Sequence, residues 1–398
     1  MDKEKAIKKL LMRNVEEIFE KKHLEEALLS GKKLRVKLGI DPTGDKMHIG
    51  RAVVLWKLRE FQELGHKIVL IIGDFTAQIG DPSDKLNKRP FLAKEQIKRN
   101  LKNYLPQIGK IIDIKKAEVR YNSEWLSKLN FRETAELAES FSINQMLRRR
   151  AFKERFQKDE DISLREFMYP LMQGYDSVAV KADVELGGSD QLFNLLAGRV
   201  IQKHYGQKEQ DIMTTGMLSG IDGRKMSTSW GNVINVTDSP DEQFGRLMSM
   251  NDAQIISYFM LATDLSEDEI KKYEKNLKDK KVNPKTIKEK LAQLVVSRYH
   301  GEKAAIAAEE KWENIFSKKE ILGSDIPELK LKTKKISVID LVLAAKTVKS
   351  KSEAGRLISQ GAVQIDGKMI KDIREIVEFK GGETVKIGKK NFFRIKLK

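Results

Sequence analysis

The chain has 398 residues, 75 Lys and Arg against 58 Asp and Glu, a formal net charge of +17 and no cysteine. That length is comfortable for two or three domains. The missing cysteines exclude disulfides and thiolate metal sites, and the surplus of cations suits a polyanionic partner, because phosphates reward dense positive charge. The five histidines are scattered, without the close spacing of a zinc site. No apolar run approaches the ~20 residues of a membrane span, and the charged N-terminus lacks the apolar stretch of a signal peptide. A soluble, cytoplasmic chain without a membrane partner is expected.

The first half alternates strand-like and helix-like runs. Residues 34–40 read as a short strand ending in the turn residues Asp41-Pro-Thr-Gly44. A helical pattern follows from about Ile49 to Leu64, with Val53, Leu55, Leu58 and Phe61 among its apolar positions, and Gly65 stops it. Residues 67–73, Lys-Ile-Val-Leu-Ile-Ile-Gly, have the continuous apolar character of a strand buried on both faces. Strand, helix, strand in this order predicts a right-handed crossover and a parallel sheet.

Residues 93–167 read as mostly helical and charged, with a strand-like break near 117–121. A helix is predicted from Tyr169 to about Val180, and the turn at 186–191 leads into another. Residues 219–235, rich in Gly, Ser and Lys, read as a mobile loop. Residues 239–316 carry helical patterns with Lys–Glu pairs, and residues 317–335 look like a linker. The last stretch, 336–398, has two short helical patterns followed by alternating runs. It contains fourteen Lys and Arg against seven Asp and Glu.

Two constellations carry chemistry. The first, Asp41-Pro-Thr-Gly-Asp-Lys-Met-His-Ile-Gly50, sits where a parallel strand hands over to a helix. Open α/β sheets bind ligands at such carboxyl ends, and a helix N-terminus favours negative charge. Thr43 and His48 can donate to phosphate, and Gly50 lets a flat ligand approach the backbone. The bland alternative is a turn and a capped helix. The second, Gly223-Arg-Lys-Met-Ser-Thr-Ser-Trp-Gly231, puts two cations and three hydroxyls on a glycine-bounded loop. Such a loop can close over a triphosphate and neutralise a departing pyrophosphate, although a solvated basic loop would look the same. No Walker A sequence or Gly-x-Gly-x-x-Gly fingerprint is present.

His48-Ile-Gly-Arg51 and Lys225-Met-Ser-Thr-Ser229, in this order on this strand–helix pattern, resemble the paired signatures of class I aminoacyl-tRNA synthetases. Gly80-Asp-Pro-Ser83, the polar face Tyr169/Gln173/Asp176, and Gly187-Gly-Ser-Asp-Gln191 resemble the tyrosyl branch of that family. Tyr169, Gln173 and Asp176 are spaced i, i+4, i+7, so one helix face presents all three. Residues 337–367 resemble the small αL RNA-binding fold at the end of bacterial tyrosyl enzymes.

The resemblance implies an α/β protein: a Rossmann-like parallel-sheet catalytic domain with a helical insertion (residues 1–236), an α-helical anticodon-binding domain (237–320), a linker (321–335) and a small α+β RNA-binding domain (336–398). It implies two steps, tyrosine activation by ATP and transfer of the tyrosyl group to the 3′ end of tRNA(Tyr). ATP with Mg²⁺ would be the cosubstrate, with no dedicated protein metal site, and a homodimer would form through the insertion around residues 120–160. By resemblance, Tyr169, Gln173 and Asp81 hold the α-amino group and Asp176 meets the phenol hydroxyl, with Lys37 and Gln191 in the same tyrosine site. Thr43, His48 and Arg51 fall to phosphates and ribose, Lys225, Met226, Ser227 and Thr228 to pyrophosphate, and Gly39, Asp41, Gly50, Gly188 and Asp190 to the nucleotide and adenylate. Three positions depart from the family pattern: Arg51 replaces a His, Thr228 replaces a Lys, and Lys37 stands where many tyrosyl enzymes place a Tyr near the phenol. A tryptophanyl enzyme and a catalytically silent RNA-binding relative are the alternatives. The tyrosine face and the terminal unit weigh against the first, and intact His48 and Lys225 against the second.

Overall fold

Strand Lys67–Ile72 lies at the heart of the larger unit because all five of its aliphatic side chains are fully buried. Each removes roughly 1.5–3 kcal/mol worth of apolar surface from water. This computed structural model describes residues 3–82, 93–316, 327–331, 333–348, 350–388 and 391–397. Ser83 of the Gly80 motif, and residues 317–326 and 332 of the expected linker region, lie outside the described residues. The chain forms two compact units, Met1–Glu309 and Glu310–Lys398.

In the first unit a six-stranded sheet is built from β1 (Glu17–Phe19), β2 (Arg35–Ile40), β3 (Lys67–Ile72), β4 (Glu118–Tyr121), β5 (Val184–Gly188) and β6 (Asp211–Thr215). Their order across the sheet is β1-β6-β5-β2-β3-β4. Strands β2 to β6 are parallel, as the alternation of patterns predicts. The exception is β1, which pairs antiparallel with β6 at the edge and comes from the N-terminal stretch that gave no strand signal. The chain moves from β2 outward through β3 to β4, then returns to the other side of β2 with β5. The strand order therefore reverses between β2 and β5, and open α/β sheets bind ligands in the crevice at such a point.

Helix Ile49–Glu63 follows β2, and helix Leu164–Val180 precedes β5. The helical stretch between β3 and β5 is broken by β4, where a strand-like break was expected. Further helices, among them Pro240–Met248, Ile255–Ala262 and Pro284–His300, complete this unit.

The second unit carries helices Val338–Ala344 and Lys351–Ser359 and a five-stranded sheet. Its core includes Leu341, Ile358, Val363, Val385, Ile387 and Ile395. Strand Glu328–Leu331 belongs to that sheet, pairing in parallel with strand Asn391–Leu397. It falls in the stretch expected to be a linker. Its Leu329 and Leu331 alternate inward with exposed Glu328 and Lys330, a two-residue period too short to stand out among the surrounding lysines.

Candidate active site

The carboxyl ends of β2 and β5 open into a cavity of about 570 Å³. Its lining gathers Gly39, Asp41, Thr43, His48, Gly50, Arg51, Asp81, Tyr169, Gln173, Asp176, Gly188, Asp190, Gln191, Lys225, Met226, Ser227 and Thr228. Every candidate residue from the sequence except Lys37 is therefore in one place.

One end is acidic and buried. Helix Leu164–Val180 turns Tyr169, Gln173 and Asp176 to the cavity. Trp125 Nε1 donates to Asp176 Oδ1 at 2.8 Å, and Asn122 Nδ2 donates to Oδ2 at 3.3 Å. Burial nevertheless pushes the Asp176 carboxyl up to about 7, against the pull of Lys37 and these two donors. The hydroxyl of Tyr169 donates to Asp41 Oδ2 at 2.9 Å, and Thr76 Oγ1 donates to Oδ1 at 2.7 Å. Asn122 also donates to Thr76, at 2.9 Å, so Asp176 and Asp41 are joined through two neutral side chains. Burial raises Asp41 to about 6 and lifts the Tyr169 phenol well above its usual value. Gly73 makes room for this cluster, since a Cβ there would stand 1.9 Å from Asp41 Oδ1 and 2.3 Å from Thr76 Oγ1.

Asp81 is held beside them. Gln191 Nε2 donates to Asp81 Oδ2 at 2.7 Å, and Asn194 Nδ2 donates to Oδ1 at 3.4 Å. Arg149 in turn donates to Asn194 Oδ1 at 2.9 Å, and its burial lowers it to about 10 despite the nearby Asp81.

The other end is formed by the two signatures, which the backbone ties together. Ile49 N donates to Ile234 O at 2.8 Å and Val236 N to Met47 O at 2.9 Å. Gln107 fixes the turn before His48 by accepting from Met47 N and donating to Asp45 O, both at 2.8 Å. His48 caps helix Ile49–Glu63, its Nδ1 accepting from Arg51 N at 3.3 Å. Arg51 donates to the hydroxyls of Thr43, at 3.0 Å, and Tyr104. Met226 lies over Gly50, where a Cβ would come within 2.9 Å of its Sδ. Asn232 bonds across the signature loop, accepting from Ser227 N at 2.8 Å and donating to Asp222 at 2.8 Å. With Arg224, that amide holds Asp222 down at about 2. Lys225 Nζ stands 3.8 Å from Asp190 Oδ2.

Lys37 is the correction. It does not line the cavity, because its ammonium points under helix Leu164–Val180 and pairs there with Glu185 at 2.9 Å. Sequence reasoning missed Asn122, Trp125, Thr76, Tyr104, Arg149 and Asn194. Of these only Asn194, three residues after Gln191 at a helix start, had a positional signal. Thr76 and Asn122 line the cavity from other segments, while Trp125 and Tyr104 bond to the lining side chains Asp176 and Arg51, and Arg149 bonds to Asn194.

The description "tRNA synthetases class I (W and Y)" matches residues 29–317, and "Tyrosine--tRNA ligase SYY-like C-terminal domain" matches residues 319–395. The chain is 47% identical to a tyrosine–tRNA ligase of Thermotoga maritima, over 97% of this chain and 96% of the relative. It is 44% identical to tyrosine–tRNA ligase 2 of Clostridium acetobutylicum, over 97% of each. Among solved structures, a tyrosyl-tRNA synthetase of Archaeoglobus fulgidus complexed with L-tyrosine shares the fold. Its TM-score is 0.62 at 21% identity, covering 77% of this chain and all of that one. A C-terminally truncated mitochondrial tyrosyl-tRNA synthetase of Aspergillus nidulans gives 0.64 at 22% identity, covering 78% and 94%. With near full-length identity of this order and both descriptions matched in sequence, the chain belongs to the tyrosine–tRNA ligase family of class I synthetases.

Proposed function

We propose that the cavity is where L-tyrosine is activated by ATP to tyrosyl-adenylate before transfer to the 3′ end of tRNA(Tyr). The observation that carries this is the cavity's polarity: buried acceptors for a phenol and an ammonium at one end, cationic signatures at the other. Asp176 accepts the phenol O–H, while Gln173, Tyr169 and Asp81 take the α-ammonium, with Gln191 holding Asp81. The carboxylate then faces the α-phosphate of ATP. It is already ionised, so no strong general base is needed and the rate comes from positioning and charge stabilisation.

His48, Thr43 and Arg51 hold phosphate and ribose at the helix N-terminus. Lys225, with Met226, Ser227 and Thr228, covers pyrophosphate. Gly39, Asp41, Gly50, Gly188 and Asp190 border the nucleotide. Among the described residues no group of three or more His, Asp or Glu could hold a metal ion. In this reading Mg²⁺ is bound by the ATP phosphates and neutralises them.

The same reading keeps residues 1–236 as the catalytic domain, 237–320 as the anticodon-binding domain and 336–398 as the RNA-binding domain of a cytoplasmic enzyme. It takes the chain as a homodimer through the insertion, where Phe131 is 91% exposed and Ile143 and Phe156 are each 65% exposed, more apolar surface than a solvated face needs.

Substitution at the two ends tests the assignment in pyrophosphate exchange. Asp176→Ala should raise KM for tyrosine by at least about a hundredfold, because a buried ligand hydroxyl loses its charged acceptor. Lys225→Ala should lower kcat with tyrosine affinity little changed. If both variants fail in the same parameter, the division of the cavity is wrong.

A further inference from the structure

A buried ion pair stands behind the cavity. Lys37 on β2 and Glu185 on β5 are both 0% exposed, with Nζ 2.9 Å from Oε1. Desolvation offsets most of the attraction in such a pair, so a gain in stability alone does not account for it. Its hydrogen bonds point elsewhere. Lys37 Nζ donates to the carbonyl of Gln173 at 2.9 Å and to Ser177 Oγ at 2.7 Å. Glu185 Oε1 accepts from Gln173 Nε2 at 3.2 Å, and Oε2 accepts from Ser177 Oγ at 3.1 Å and from the Gln210 amide.

Gln173 is therefore gripped at two points, its backbone carbonyl by Lys37 and its amide nitrogen by Glu185. A carboxylate can only accept, so the NH₂ of Gln173 must face Glu185, and its amide oxygen is turned away. An amide oxygen offered to the cavity attracts an ammonium; an NH₂ there would repel it.

We propose that Lys37 and Glu185 form a positioning pair that fixes the Gln173 amide with its oxygen toward the α-ammonium of tyrosine. The pair then makes the site select the amino acid over its des-amino analogue. Lys37 supplies the countercharge that lets Glu185 sit there without water. This rests on the reading of Gln173 as an ammonium ligand.

Calorimetric titration of the full chain with L-tyrosine and with 3-(4-hydroxyphenyl)propanoate tests the proposal. Lys37→Met with Glu185→Leu replaces the pair by apolar side chains of similar size. Glu185→Gln is the milder second variant, because an amide at 185 tolerates either orientation of Gln173. The double variant should bind tyrosine about tenfold or more weakly, the worth of a hydrogen bond to a charged group. Binding of the des-amino analogue should stay within about twofold, and Glu185→Gln should move the ratio the same way. Gln173→Ala is the reference. If it leaves the ratio unchanged, the reading of Gln173 is wrong and the proposal falls with it. If it collapses the ratio while folded pair variants keep theirs, or lose both ligands in parallel, the pair does not position the amide and the proposal is overturned.

Discussion

Trp125 Nε1 donates to Asp176 Oδ1 at 2.8 Å from a segment 51 residues earlier in the chain. The indole satisfies one of the two oxygens of the carboxylate that, on the proposed reading, receives the substrate's phenol. Trp125→Phe keeps most of the packing and removes this donor. Tyrosine activation should weaken by roughly tenfold, the worth of a hydrogen bond to a charged acceptor, with the thermal midpoint little changed. Exchange kinetics beside a melting curve checks it, and an unaltered KM for tyrosine would show that the indole does not support the carboxylate.

Asp176 should also give the site a pH dependence. Burial raises its carboxyl to about 7, so the folded chain holds that proton more tightly than the unfolded chain. Its contribution to stability is complete below the unfolded value of ~4 and is lost as pH rises through about 7. Binding runs the other way, because the phenol donates best to the ionised carboxylate. Tyrosine affinity should rise between about pH 6 and pH 8 and then level. Asp176→Asn should flatten that rise and, at pH 8, recover stability relative to pH 5. A titration at several pH values with paired melting curves measures both, and an equal rise in the Asn variant would place the titration elsewhere.

Gly73→Ala should damage the site without replacing any ligand-binding side chain. The new Cβ would stand 1.9 Å from Asp41 Oδ1, so Asp41 or the backbone must move. Overpacking of this kind costs about 1–3 kcal/mol. The variant should melt earlier and lose adenylate formation more than its stability loss explains. Normal exchange activity below its melting range would show that Asp41 can relocate freely.

Arg51 and Thr228 depart together from the family signatures. The Arg51 guanidinium is anchored on Thr43 at 3.0 Å, while Thr228 offers the loop no charge. Arg51 can bond two phosphate oxygens at once, so on the proposed reading it takes over the task of the loop lysine that Thr228 replaces. Arg51→His should therefore cost more with Thr228 present than in a Thr228→Lys background. A double-mutant cycle on the activation rate measures the difference, expected at about 1 kcal/mol or more. Strict additivity would mean that the two positions act independently.

The sequence revealed what is local. The apolar run of β3, the turn Asp41–Gly44 and the 3.6-residue spacing of Tyr169, Gln173 and Asp176 are each read from neighbours along the chain. The parallel sheet followed from their alternation. Partners brought in by the fold were hidden. Lys37 on a strand gives no sign that Glu185, 148 residues later, will neutralise it, and its expected place in the tyrosine site came only from the resemblance, as the position where many tyrosyl enzymes carry a Tyr. Asn122 and Trp125 lie just after a strand that merely breaks a helical pattern, and nothing local marks them as supports for Asp176. In the terminal unit the two helices and the alternating runs were visible, while strand Glu328–Leu331 was masked by the lysines around it.

Amino-acid-dependent pyrophosphate exchange with tyrosine, phenylalanine and tryptophan tests the central claim most directly. The claim is that the buried carboxylate of Asp176 reads the phenol hydroxyl in a cavity that also binds ATP. Tyrosine should support exchange, phenylalanine should be disfavoured by at least about a hundredfold because it leaves a buried carboxylate unpaired, and tryptophan should be inactive. Exchange with tryptophan, or equal exchange with phenylalanine and tyrosine, would contradict it.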